Sequence, residues 1–277
     1  MVRRRKTSGR LLGLLAWAVG LFFVAPVAWM LLTSLHSESA AATNPPSLFA
    51  PLTFAGYANF FGAGSGVSPI PPLLNSAMAS IISTLLVLVL ATPAAYALSI
   101  RPVKKWSDVM FFFLSTKMLP MVAGLLPIYL IAQATGLLDS ILLLVILYTS
   151  MNLPIAVWMM RSFLSEVPIE ILEAAAVDGA NLFTIFRRII IPISGPGIAA
   201  TALICFIFSW NELLFANVLT STAATTAPVF LTSFITSQGL FLAKVCAAAL
   251  AVSLPVLIAG FAAQDKLVQG LSLGAVK

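Results

Sequence analysis

The chain has 277 residues, of which 60% are hydrophobic and only 9% charged, with a net charge of +6 and a mean hydropathy of +1.05. A soluble domain of this length needs a charged shell of roughly a quarter of its residues, so lipid must solvate much of this surface. Too few polar residues remain to build a phosphate-binding face, which excludes nucleic acid as the reason for the basic balance.

A bilayer core of about 30 Å requires roughly 20 apolar residues in a helix. Six stretches qualify: 11–32, 73–98, 109–133, 140–160, 198–219 and 245–263. Such runs are helical because lipid offers the backbone no hydrogen-bond partner. The expected fold class is therefore all-α, a polytopic membrane protein with six transmembrane helices. The organisation expected is a basic tail, first helix and outer loop over 1–72, a core of five helices over 73–265, and a cytoplasmic tail over 266–277.

The first span follows Arg3, Arg4, Arg5, Lys6 and Arg10 and precedes Ala40-Ala41-Ala42, which resembles a signal peptide. A signal's apolar region usually covers about 7–15 residues; the run 11–32 is longer, which favours an uncleaved anchor. Placing the N-terminus in the cytoplasm also puts Arg101, Lys104, Lys105, Arg161, Arg187, Arg188, Lys266 and Lys277 inside. Of the 15 basic residues only Lys117, within a span, and Lys244, at an outer edge, fall elsewhere. By the positive-inside rule both termini are cytoplasmic and the protein is a multi-pass component of the cell membrane.

The outer loop 33–72 is rich in Pro, Gly and Ser, with Pro45-Pro46 and Pro71-Pro72 as breaks. Its segment 54–61 has the aromatic content of a short interfacial helix. His36 has no second ligand beside it in the sequence, so a metal role is not supported. The third span carries Lys117, about 12 Å past its inner end at helical rise. The fourth carries Asn152 and Pro154.

The inner segment 161–197 holds a compact pattern. Pro168 suits the first turn of a helix; Glu166, Glu170 and Glu173 then share one face, while Ile169, Leu172 and Ala176 share another. Ala174, Ala175 and Ala176 lead through Asp178 to Gly179, a C-terminal cap. A second short helix over 181–190 is expected to stop at Pro192. Two short amphipathic helices meeting at a glycine outside the membrane form a knob suited to a groove on a soluble partner. The alternative is an acidic interfacial helix that neutralises Arg187 and Arg188.

The fifth span contains Trp210, Asn211 and Glu212, the last about 21 Å from the inner face and about 9 Å from Lys117 along the normal, too far for ready pairing. An ionised residue costs about 2.5–3.5 kcal/mol at a span centre on insertion scales, so it must face a cavity or find a partner. One reading places Asn152, Lys117, Trp210, Asn211 and Glu212 near a path for a polar solute, with Glu212 beside hydrated space. The other makes such residues polar glue between helices. Cys205 and Cys246 lie at depths that differ by more than about 15 Å, too far apart for a disulfide.

Glu173-Ala174-Ala175, then Gly179, then Ile189-Ile190-Ile191-Pro192 resembles the EAA loop of ABC importer permeases, departing only in Ile191 for Leu. Asn152-Leu153-Pro154 with Trp158 and Arg161-Ser162-Phe163 looks like the fourth helix of carbohydrate permeases. Phe208-Ser209-Trp210-Asn211-Glu212 looks like their fifth. The tail from Leu267 to Lys277 is similar to the C-terminus of the second permease of maltose transporters, and the likeness covers roughly 73–277. The resemblance implies the type I ABC importer transmembrane domain, paired with a second permease, two ATPase subunits and an extracytoplasmic binding protein. It implies ATPase coupling through Glu173, Ala174, Ala175, Asp178, Gly179, Ile189 and Pro192, and a further ATPase contact through Gly270, Gly274 and Lys277. The tail is expected to be extended and tightly bent, since glycine permits it. ATP and magnesium would be bound by the partner, because this chain has no phosphate-binding G-x-x-x-x-G-K-[ST] loop; no cofactor or metal is expected on this chain, and no catalytic residue. The implied substrate is a disaccharide, oligosaccharide or sugar alcohol. The competing function is an ion-coupled secondary carrier, which usually shows an internal repeat and paired midplane charges.

Overall fold

The computed structural model describes residues 6–43, 47–62, 68–100, 103–236 and 239–275. Of the basic residues that orient the chain, Arg3, Arg4, Arg5, Arg101 and Lys277 lie outside these, as do Pro45 and Pro46. In chain order the helices are α1 (Lys6–Ser34), α2 (Glu38–Ala41), α3 (Ala55–Phe60), α4 (Ile70–Ser99), α5 (Trp106–Met118), α6 (Met121–Ala134) and α7 (Ile141–Leu164). Then come α8 (Ile169–Val177), α9 (Leu182–Ile185), a π-helical turn (Phe186–Ile190), α10 (Ile191–Ile193), α11 (Gly195–Trp210), α12 (Leu214–Leu219) and α13 (Ala227–Thr232). A two-residue antiparallel pair, β1 (Ile235–Thr236) and β2 (Gly239–Leu240), precedes α14 (Leu242–Ala275).

Four helices are long and apolar enough to cross a membrane, and two bent pairs bring the number to six if each pair is one span. The first pair corrects the expected third span. Instead of one helix over 109–133, α5 and α6 meet at 85°. Leu119 is extended (φ −69°, ψ 130°) and Pro120 caps α6, because a residue before proline is pushed out of the α region. The expected fifth span, 198–219, is likewise divided. The helix ends at Trp210, where the Asn211 side chain donates to the Ile207 carbonyl (2.8 Å), and α12 starts separately.

The chain forms two compact units, 1–69 with 231–253 and 70–230 with 254–277. In the first, α3 forms the expected short helix, with Phe60 buried and Phe54 and Phe61 exposed at its ends. Gly56 makes close backbone approach possible, since a Cβ there would lie 3.2 Å from the Ala243 and Ser34 carbonyl oxygens. Glu38 caps α14 by accepting from the N–H groups of Ala243 (3.1 Å) and Lys244 (2.8 Å), a carboxylate at the positive end of a helix. His36 is buried, with Nε2 lacking a protein partner.

In the second unit α4, α7 and α11 form the central packing. Val87, Ala91 and Ala95 of α4 meet Ala156, Val157 and Met160 of α7 and Cys205 of α11, all fully buried. The small side chains allow the close helix approach that membrane packing relies on in place of a hydrophobic driving force. Cys205 is buried, Cys246 is partly exposed, and both are free thiols. The expected extended tail is corrected by α14, whose backbone stays helical through Gly270 and Gly274 to Ala275. Glycine lowers helix propensity but does not forbid a helix.

Candidate coupling knob and membrane polar sites

The knob is built by local rules. Pro168 caps α8, and its missing N–H costs nothing at a helix start. At the other end Gly179 takes φ +78°. The Ala180 N–H donates to the Ala175 carbonyl (2.9 Å) and the Gly179 N–H to that of Ala176 (3.1 Å). These paired bonds define a Schellman cap, which needs a left-handed residue at the glycine position. Asn181 then caps α9 by accepting from the Thr184 N–H at 2.8 Å. The motif's Gly179 therefore sets the angle between the two short helices.

The buried face of α8 is Leu172 with partly buried Ala175, packed against the α4–α7 core. Of the Ile169–Leu172–Ala176 face, only Leu172 is buried; Ile169 is 44% exposed and Ala176 is also open. Glu173, Ala174 and Asp178 are exposed, beside Val177 and Phe183 at 88% and 71%.

Pro192 does not stop the second helix as expected. The helix widens to a π turn over Phe186–Ile190 and continues to Ile193, an arrangement that spares Pro192 the usual i→i−4 bond it cannot make. Ile190 is buried, Ile189 is partly buried, and Pro192 is exposed. The bend to α11 is 77°. There Gly197 lies against Phe163 of α7, so close that a Cβ would overlap its ring. Arg161, also on α7, donates from Nε to the Leu98 carbonyl (3.1 Å) and places its guanidinium 3.8 Å from the Trp106 ring centroid. The C-terminal ends of α4 and α7 and the start of α5 are thereby tied together.

The five candidate path residues separate. Asn152 is fully buried; its Nδ2 donates to the Tyr148 carbonyl (3.0 Å) and to Ser209 Oγ (2.9 Å), and Ser209 Oγ lies 3.2 Å from Ser83 Oγ. It links α4, α7 and α11 as polar glue. Trp210 is buried against Phe206, ring centroids 5.7 Å apart. Glu212 is 7% exposed and accepts from the N–H groups of Phe215 (2.9 Å) and Ala216 (3.2 Å). The expectation of a carboxylate facing hydrated space is corrected: the first turn of α12 supplies its donors. Asn211 is exposed. Lys117 is exposed too, and lines a cavity of about 390 Å³ with Thr116, Ser150, Met151 and Phe215.

Sequence reasoning missed Asp139, which stands at φ 55° just before α7. Its carboxylate accepts from the N–H groups of Ser221, Thr222, Ala223 and Ala224 at 2.9–3.1 Å, and from the Ser221 and Thr222 hydroxyls. Asn75 Nδ2 donates to the carbonyls of Ala223 and Thr225, both at 2.9 Å. Partial burial raises the Asp139 pKa, but the Ser221, Ala223 and Ala224 N–H groups and the Ser221 hydroxyl outweigh it and hold the carboxyl well below the usual range. An Asp preceding an N-cap serine was the only signal, and it does not name a partner more than 80 residues on.

Residues 87–271 match the family model described as the binding-protein-dependent transport system inner membrane component. The chain is 37% identical over 273 residues to the probable ABC transporter permease protein y4oR of Sinorhizobium fredii, covering 98% of this chain and 97% of the relative. It is 32% identical to the trehalose transport system permease protein SugB of Mycobacterium tuberculosis, covering 92% and 93%. It is equally similar to the diacetylchitobiose uptake system permease protein DasC of Streptomyces coelicolor, at 32% over 94% and 93%. A solved bacterial ABC transporter involved in import of the acidic polysaccharide alginate has the same fold, with a TM-score of 0.74 at 22% identity over 96% of this chain and 99% of that one.

Proposed function

Because the chain belongs to the binding-protein-dependent transport system inner membrane components, we propose that it is one permease of an ATP-driven carbohydrate importer, coupled to its ATPase through the knob 165–192. The observation that carries this reading is the knob itself, a capped helix–turn–helix that exposes Glu173 beside Val177 and Phe183. A solvated loop has no use for that apolar surface, whereas a groove on a soluble partner does.

The assembly contains a second permease, two ATPase subunits and a binding protein, and the ATPase chains hold ATP and magnesium. This chain performs no catalysis. The similarity to trehalose and diacetylchitobiose permeases supports a disaccharide or oligosaccharide as substrate, with a sugar alcohol as the smaller alternative. The ion-coupled carrier is not favoured. It would need an acid free to titrate at the midplane, and Glu212 is committed to the backbone of α12. The tail meets the same ATPase, presenting a backbone that is helical through Ala275.

In the assembled transporter, Glu173→Ala and truncation after Leu267 are each expected to leave membrane insertion intact. ATP hydrolysis should then proceed with little uptake in the first, and assembly or turnover should weaken in the second. Wild-type ratios of uptake to hydrolysis in both variants would remove the coupling assignment.

A further inference from the structure

Among the described residues, no carboxylate answers the charge on Lys117. Of the acids that could approach a basic group inside the membrane, Glu212 is committed to the N–H groups of Phe215 and Ala216. Asp139 is committed to the loop that starts at Ser221. The cavity beside Lys117 is lined by no carboxylate, and among the described residues its ammonium makes no ion pair; its electrostatic neighbour is the Cys205 thiol. The helical rise from Trp106 to Lys117 is about 17 Å, roughly half of a hydrocarbon core of about 30 Å.

The backbone at this point is irregular as well, since α5 and α6 meet at 85° immediately after Met118. Broken backbone at membrane depth persists only where it is buried in protein or lines a cavity. Secondary transporters place solute sites at discontinuous helices, and the α5–α6 break offers the same irregular backbone here. The remaining wall is chemically divided. The Thr116 hydroxyl donates to the Phe113 carbonyl (2.7 Å) and that of Ser150 to the Leu147 carbonyl (2.8 Å). Their hydrogens are thereby occupied, and their oxygens remain as acceptors for hydroxyl groups of a solute. Met151 and Phe215 add an apolar wall for the face of a sugar ring.

We propose that the cavity at the α5–α6 break is an anion-recognising subsite of the translocation path, in which Lys117 receives the carboxylate, sulfonate or phosphate of an acidic carbohydrate while Thr116 and Ser150 accept from its hydroxyls. The inference rests on the importer reading and narrows its substrate class from carbohydrate to anionic carbohydrate.

The test uses the complete transporter in nanodiscs, with Cys205→Ala, Cys246→Ala and Ser150→Cys in this chain. The rate of thiol modification is measured with a sulfonate-bearing and a trimethylammonium-bearing methanethiosulfonate reagent. A single charge a few ångströms away in a partly hydrated cavity should change the ratio of the two rates at least about tenfold. The sulfonate preference is therefore expected with Lys117 or Lys117→Arg and lost in Lys117→Met. In the Lys117 protein, which needs no change at that position, digalacturonate should protect the cysteine from a neutral maleimide and neutral galactobiose should not. A ratio unchanged by Lys117→Met, equal protection by the two sugars, or protection by neither overturns the proposal. A preference present in phosphatidylcholine discs but abolished by phosphatidylglycerol also overturns it, by assigning Lys117 to lipid phosphate. Labelling requires no transport, so failure here leaves the coupling test on Glu173 independent.

Discussion

Asp139 is the clearest case of one side chain organising distant chain. Four consecutive N–H groups and two hydroxyls from 221–224 converge on its oxygens, and the Asp139 N–H donates back to the Leu219 carbonyl at 2.8 Å. Asp139→Asn keeps the shape but turns an NH₂ group toward these donors. Bonds to charged groups contribute about 1.5–3 kcal/mol, so a loss of that order is expected in thermal unfolding of the detergent-solubilised chain. The pH dependence has a definite sign. Because the folded-state pKa is depressed, the stabilisation is present above the unfolded value of about 3.9 and is lost only as pH falls through the lower folded value. The stability difference between wild type and Asp139→Asn should therefore stay constant from pH 5 to 8. A difference that shrinks on going from pH 8 to 5 would show that Asp139 is not the charged centre of this loop.

At the scale of elements, the knob is held to the membrane helices at a tight junction. Gly197 opens the first turn of α11 against Phe163 near the end of α7, and any Cβ at 197 must displace that ring. Overpacking of this kind costs about 1–3 kcal/mol. Gly197→Ala is therefore expected to destabilise the fold and to weaken coupling, and Phe163→Leu should restore part of both by making room. The double-mutant cycle measures this directly. Additive losses would mean that the contact does not transmit position from knob to helix. Gly179→Ala would act differently, since nothing lies within 4 Å of its Cβ position. There the strain is in the left-handed backbone alone, about 1–2 kcal/mol.

At the scale of the whole molecule, the distribution of basic residues leads us to propose that both termini are cytoplasmic. Every Lys and Arg cluster in the loops falls on one side when the N-terminus is cytoplasmic. Fluorescent-protein fusions at either terminus should therefore fluoresce, and alkaline phosphatase fused after residue 275 should be inactive. An active phosphatase at that end would reverse the topology and remove the knob from the ATPase. The exposed surface agrees with a lipid setting: Leu11, Trp17, Phe22 and Phe23 of α1 are each at least 65% exposed.

The membrane class, the apolar helices and the knob with its turning glycine were legible in the sequence because they depend on local quantities. Those quantities are run length, the spacing of apolar residues, the φ that only glycine accepts cheaply, and the placement of charge. The helix breaks were not read from the sequence. The run 109–133 was expected as one span despite Pro120, and the 85° bend and the end of α11 at Trp210 depended on which backbone groups found partners. Pro192 misled, because a π turn can carry a helix past a proline when the neighbouring packing supports it. The fates of the intramembrane polar groups were decided by tertiary structure alone. Asn152 went to Ser209, Glu212 to the start of α12 and Lys117 to a cavity. All three are polar residues in apolar runs, and composition ranks them alike. A buried charge or amide is satisfied by whichever donor or acceptor the fold brings within about 3 Å, and that proximity is set by chain segments far away in sequence.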